Sequence, residues 1–113
     1  MAAAAKDSAT EKTAREHHDA LVAAVMQQGL ALLYEKAQPA DAAPLFRRVL
    51  RLAPSHYGAT YQLAVALDRA GQADEARQAW ARVVPLAEAS ADAPTLAAAR
   101  ERLAKLPAPK PRE

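Results

Sequence analysis

Two stretches of this chain superpose when one is slid thirty-four places along the other. Ala42, Phe46, Val49 and Leu52 fall over Ala76, Trp80, Val83 and Leu86, and upstream Leu33 falls over Leu67. In both copies a small residue, a large aromatic and two aliphatics recur at steps of four, three and three, a spacing that keeps them on one face of a helix. A unit of this length in tandem is a helical hairpin that cannot bury its apolar face alone and must stack on a neighbour. The repeat therefore points to a layered helical stack whose work is to bind another protein.

Composition agrees with the pattern. Alanine makes up more than a quarter of the 113 residues, while glycine, aromatics and β-branched residues are few. Alanine and leucine favour helix and offer little to a pleated sheet. The chain is long enough for one domain with a modest core. Its net charge of +2 owes much to Lys105, Lys110 and Arg112 at or beyond the last predicted helix. The body is then close to neutral, which argues against nucleic acid and anionic lipid as partners. With no cysteine, disulfides and thiolate chemistry are excluded. No apolar run approaches the roughly 20 residues of a membrane span, and the start lacks the order of a secretory signal. The expected location is cytoplasmic, with the periplasm left open.

Along the chain, residues 1–7 are expected to be loose, and a helical domain to occupy 8–106. Ser8 with Glu11, or Thr13 with Glu16, has the spacing of a capping box that would open the first helix. Leu21, Val22, Val25, Met26, Leu30, Leu32 and Leu33 form its wide apolar stripe, ending near Lys36 ahead of Pro39. A second helix is predicted over 40–53, with Pro44 in its first turn; a start at Pro39 would leave Pro44 to kink it. Ser55 is the predicted N-cap of a third helix over 55–70, closed by Gly71. A fourth spans 73–90 around Pro85, and a fifth spans 92–105. Residues 107–113, rich in proline, read as an extended tail.

The segment from Tyr61 through Leu63, Ala64, Leu67, Gly71 and Ala76 to Trp80 resembles a tetratricopeptide repeat. Leu63 and Ala64 match its large-small pair, Gly71 its turn glycine, Ala76 the small residue between its two helices, and Trp80 its bulky plug. The copy before it agrees at Ala42, Phe46 and Pro54. It departs at Gly29-Leu30, where the large-small order is reversed, and at Ala37, which replaces the turn glycine. Either that hairpin is shifted by a residue or its helices pack at an altered distance. Repeat one then covers about 23–56, repeat two about 57–90, and a capping helix about 92–105. The resemblance implies an all-α, short right-handed α-α superhelix of about five helices.

It also implies where a partner would bind. Such proteins usually hold a peptide in the concave groove lined by the first helix of each hairpin, which here offers Gln27, Ala31 and Tyr34, then Tyr61, Gln62, Val65, Asp68 and Arg69. A related subgroup clamps a C-terminal carboxylate with lysine and asparagine. This chain has no asparagine and no lysine at those positions, so that activity is not expected.

Other candidate chemistry is weaker. Adjacent His17 and His18 point about 100° apart on a helix and do not converge on a metal, and His56 reads as a turn residue. Arg47, Arg48 and Arg51 form a basic cluster on the second helix, suited to an acidic partner but lacking the interleaved aromatics of a nucleic-acid surface. Ser8, Ser55 and Ser90 lie at helix boundaries, where capping accounts for them, and no glycine-rich phosphate loop is present. The expected function is a non-enzymatic adaptor without cofactor or metal. The alternative is a structural or assembly subunit acting through homo- or hetero-oligomerisation, because two repeats plus a cap lie near the lower limit of independent stability.

Overall fold

The computed structural model describes residues 3–107, with side chains described from residue 11 onward. Over that range the chain forms five helices and no strand: α1 (Ala3–Leu30), continued by a π-helical turn (Ala31–Glu35), α2 (Pro39–Leu52), α3 (Tyr57–Arg69), α4 (Ala73–Ala89) and α5 (Ala93–Lys105). Each helix packs chiefly on its neighbours in sequence, as in a stack of hairpins.

Several boundaries differ from those expected. α1 is already helical at Ala3, so neither Ser8 nor Thr13 opens it; residues 1 and 2 and the tail from 108 lie outside the described range. α2 takes Pro39 itself as its first residue, leaving Pro44 inside the helix. Pro44 has no N–H to give the carbonyl of Ala40. The N-cap of α3 is His56 rather than Ser55, its Nδ1 accepting the N–H of Ala59 at 3.0 Å.

The core holds both aromatic plugs. Phe46 and Trp80 share one buried cluster with Leu33, Ala42, Leu63, Ala64, Leu67, Ala76 and Val83. Phe46, fully buried, lies so close to Gly29 that a Cβ there would come within 2.7 Å of its ring. This resolves the irregular first copy. Buried Val25 and Gly29 stand thirty-five places before buried Thr60 and Ala64, whereas Leu33 stands thirty-four before Leu67. The first hairpin is shifted by one residue, and the π turn between Gly29 and the end of the helix absorbs it. There the N–H of Lys36 reaches back five residues to Ala31 at 3.0 Å, and Gln38 reaches Leu32 at 2.7 Å. A π turn carries one residue more than an α turn, so it can change register without ending the helix.

The turns that close α3 and α4 share one geometry. The N–H of Gln72 bonds the carbonyl of Leu67 and that of Asp92 bonds Ala87, with Gly71 and Ala91 between them in the left-handed region at φ +77° and +52°. This is the Schellman closure, whose reversing residue is usually glycine. Ala37 repeats the left-handed conformation after the π turn, at φ +53°.

α5 buries only Ala99 and is fastened by polar contacts. Its N-cap Asp92 accepts the N–H of Thr95 at 3.3 Å and the hydroxyl of Tyr57 at 2.8 Å. Hydrogen bonds from Thr95 and then Tyr57 hold the Asp92 carboxyl below its ordinary value. Burial, then the Asp92 contact, push the Tyr57 phenol up. At the far end Arg77 of α4 donates to the carbonyls of Leu106 and Pro107, where a cation also complements the helix dipole.

Two substitutions test this account. Alanine at position 29 has the better helix propensity by about 1 kcal/mol, but the added methyl meets an immobile ring, and overpacking of this kind costs about 1–3 kcal/mol. Gly29→Ala is therefore expected to lower the urea midpoint. Ala37→Gly and Ala91→Gly remove a left-handed Cβ and are each expected to add about 0.5 kcal/mol in the same assay, whereas Gly71→Ala is expected to subtract.

Candidate functional site: a groove across the first helices

The sequence-predicted groove residues lie on α1, its π turn and α3, and the structure joins several of them to one another. Tyr34, exposed on the π turn, donates its hydroxyl to Gln62 Oε1 at 2.6 Å. The guanidinium of Arg69 sits over the Tyr34 ring, 5.1 Å from its centroid. These two contacts bind the inner faces of α1 and α3 across the gap between hairpins.

Asp68 is committed elsewhere. Its Oδ2 accepts the indole N–H of Trp80 at 3.1 Å and Arg102 Nε at 2.6 Å, and its Oδ1 accepts Arg102 Nη2 at 2.7 Å. The carboxylate thereby raises Arg102 above its ordinary value, while Asp68 itself is 16% exposed against 38% for Arg102. Asp68 is a structural node joining α3, α4 and α5, with no oxygen left without a donor. Tyr61 packs edge-on to Trp80, the ring centroids 5.7 Å apart and the planes 78° apart.

Two depressions lie among these residues. One, of about 360 Å³, is lined by Tyr61, Val65, Asp68, Arg69, Trp80, Ala98 and Arg102. The other, of about 530 Å³, is lined by Gln27, Leu30, Ala31, Tyr34 and Glu35. All of the groove residues read from sequence except Gln62 therefore line one of them, and Gln62 supports Tyr34.

Leu30, Glu35, Trp80, Ala98 and Arg102 were missed. The signal for Leu30 was the reversed Gly29-Leu30 pair, since the shifted register sets Leu30, not Ala31, thirty-five places before Val65. Arg102 stands thirty-four places after Asp68, so carrying the repeat into the last helix would have put the two side by side.

The basic cluster on α2 is dispersed by its contacts. Arg47 forms an ion pair with Glu75 of α4, while Arg48 and Arg51 stay exposed. His18 and Asp19 share a third depression with His56 across the α1–α3 gap, a proximity the sequence did not disclose. Among the described residues no group of three His, Cys, Asp or Glu side chains could hold a metal ion. None of the described helices is long and apolar enough to cross a membrane.

Residues 33–98 match the tetratricopeptide repeat family. The chain belongs to that family. Repeats of this kind generally mediate protein–protein interaction and are typically non-enzymatic. The match opens at Leu33, inside the π turn, where the thirty-four-residue register begins; the helix before it is one residue out of step. Comparison with curated proteins and with solved structures gave no match.

Loss of the Asp68 node has a defined cost. Asp68→Ala leaves the buried indole N–H of Trp80 without an acceptor, which costs about 1–3 kcal/mol. Asp68→Asn keeps an acceptor oxygen and is expected to cost less. Urea titration followed by the fluorescence of this single tryptophan would read both variants, and equal stability of all three proteins would overturn the assignment.

Proposed function

We propose that this tetratricopeptide-repeat protein is a small adaptor that docks a partner's peptide or subunit in the groove formed by α1, α3 and α5. The observation that carries this reading is the exposure of Tyr34, at 49%, beside half-buried Leu30 and Ala31 in one depression, with half-buried Tyr61 in the other and Arg69 of that second lining lying over the Tyr34 ring. Aromatic and aliphatic surface set among a few polar groups is what a recognition site presents. The Tyr34–Gln62 and Arg69–Tyr34 contacts fix the walls before a ligand arrives, and a preformed groove lowers the ordering cost of binding.

A second reading draws on Leu21. It is the other large apolar side chain left exposed among the described residues, at 41%, and residues 11–20 beside it on α1 are exposed on every side. A helix that projects beyond its stack is suited to joining another subunit, and on this reading the protein is a permanent component of an assembly. Sedimentation over a hundredfold dilution separates the two: an adaptor stays monomeric without ligand, whereas an assembly subunit associates with itself or is purified with its partner.

For the adaptor reading, Tyr34→Ala is expected to weaken capture of partners from a native lysate by about tenfold, the loss of one well-placed interfacial aromatic, with far-UV circular dichroism unchanged. Capture unaltered by this change, and by Ala31→Glu in the same groove, would move binding to a different surface.

A further inference from the structure

We infer that the α3–α5 end of the groove recognises an acidic peptide segment, seating one aliphatic or aromatic side chain between Tyr61, Val65, Trp80 and Ala98 and pairing an adjacent aspartate or glutamate with Arg69. This inference rests on groove docking as proposed above and adds the chemistry of the ligand.

The charge pattern decides the sign. Asp68, the only acid lining this depression, already has its charge paired with Arg102 and accepts the Trp80 indole N–H as well, so it offers a basic ligand little. Arg69 is exposed, and no carboxylate among the described residues pairs with it. Its one recorded contact is with the Tyr34 ring, which engages the charge but satisfies none of the five N–H donors in the guanidinium plane. Those donors match the two oxygens of a carboxylate. With Arg69 and Arg102 against Asp68, this end carries one net positive charge.

The apolar requirement comes from the same walls. Tyr61, Val65, Trp80 and Ala98 form the apolar part of an open depression of about 360 Å³, with the rings of Tyr61 and Trp80 set edge to face, room for one large side chain and the backbone that carries it. The α1 end differs: Glu35 lines the depression beside Tyr34 and Leu30. Its charge repels a second acid there, so the ligand's carboxylate belongs over α3.

The test is a random heptapeptide display library panned against the whole chain, and against Arg69→Glu, Arg69→Lys and Ala98→Phe, each checked by circular dichroism. The wild type is expected to enrich sequences carrying Asp or Glu within two places of Leu, Ile, Met or Phe. Arg69→Lys is expected to retain that preference, and Arg69→Glu to exchange the acid for Lys or Arg. The best wild-type peptide, synthesised with a fluorophore, should bind Arg69→Glu about tenfold more weakly by anisotropy. Ala98→Phe, which fills the depression, should lose the apolar preference. Enriched peptides that lack the acid, or whose acid preference survives Arg69→Glu, overturn this inference while leaving groove docking standing if Tyr34→Ala still weakens them. Enrichment of no peptide, or of peptides indifferent to every groove variant, overturns both.

Discussion

The contact on which the rest of the structure depends is the one between Phe46 and Gly29. A fully buried ring occupies the space where any other residue at position 29 would carry its Cβ, and close-packed interiors leave such a ring nowhere to go. The glycine must therefore sit beneath Phe46, although the thirty-four-residue spacing would place Leu30 there. The extra residue is taken up by the π turn at Ala31–Glu35. Because one residue corresponds to about 100° around a helix, the slip also resets which side chains α1 turns inward. Leu30 comes to the groove, and Tyr34 reaches both Gln62 and Arg69. A steric demand in the core thus shapes the surface on the other side of the same helix.

The last helix is held by a different kind of force. Ala99 is the only fully buried residue of α5, and half-buried Leu96 and Leu103 pack beside it on the core. To this are added polar contacts: Tyr57 grips the start of the helix through its N-cap Asp92, Asp68 grips Arg102 in its last turn, and Arg77 grips the carbonyls just beyond it. Polar contacts at both ends set the helix's position along its length. The arrangement also pairs the one acid that lines the depression between α3 and α5. The same ion pair closes the stack and leaves Arg69 as the charge in that depression without an ionic partner among the described residues.

The helical class, the two-copy hairpin and the core identities of Phe46, Trp80, Leu33 and Leu67 were legible because they depend on periodicity, which a linear chain displays directly. The candidate groove residues came from the family resemblance rather than from periodicity, since Gln27, Ala31 and Tyr34 are not repeated at Tyr61, Val65 and Asp68. The reversal at Gly29-Leu30 announced an irregularity without saying which of two forms it took, and only the packing of Phe46 decided between them. Helix starts were less readable: His56 caps where Ser55 has the better intrinsic preference, and Pro39 rather than Ala40 begins α2, because the path of the chain between packed helices outweighs a local propensity of a kilocalorie or so.

Sequence alone, then, determined that this chain is a short stack of helical hairpins, because side-chain spacing along one helix is an intrinsic property of the chain. Tertiary structure decided which inner residues are spoken for. Asp68 and Arg102, Tyr34 and Gln62, and Arg47 and Glu75 are distant in sequence and meet only once the layers are stacked. Whether a charge is paired depends on distances between helices, and no pattern within one helix encodes them.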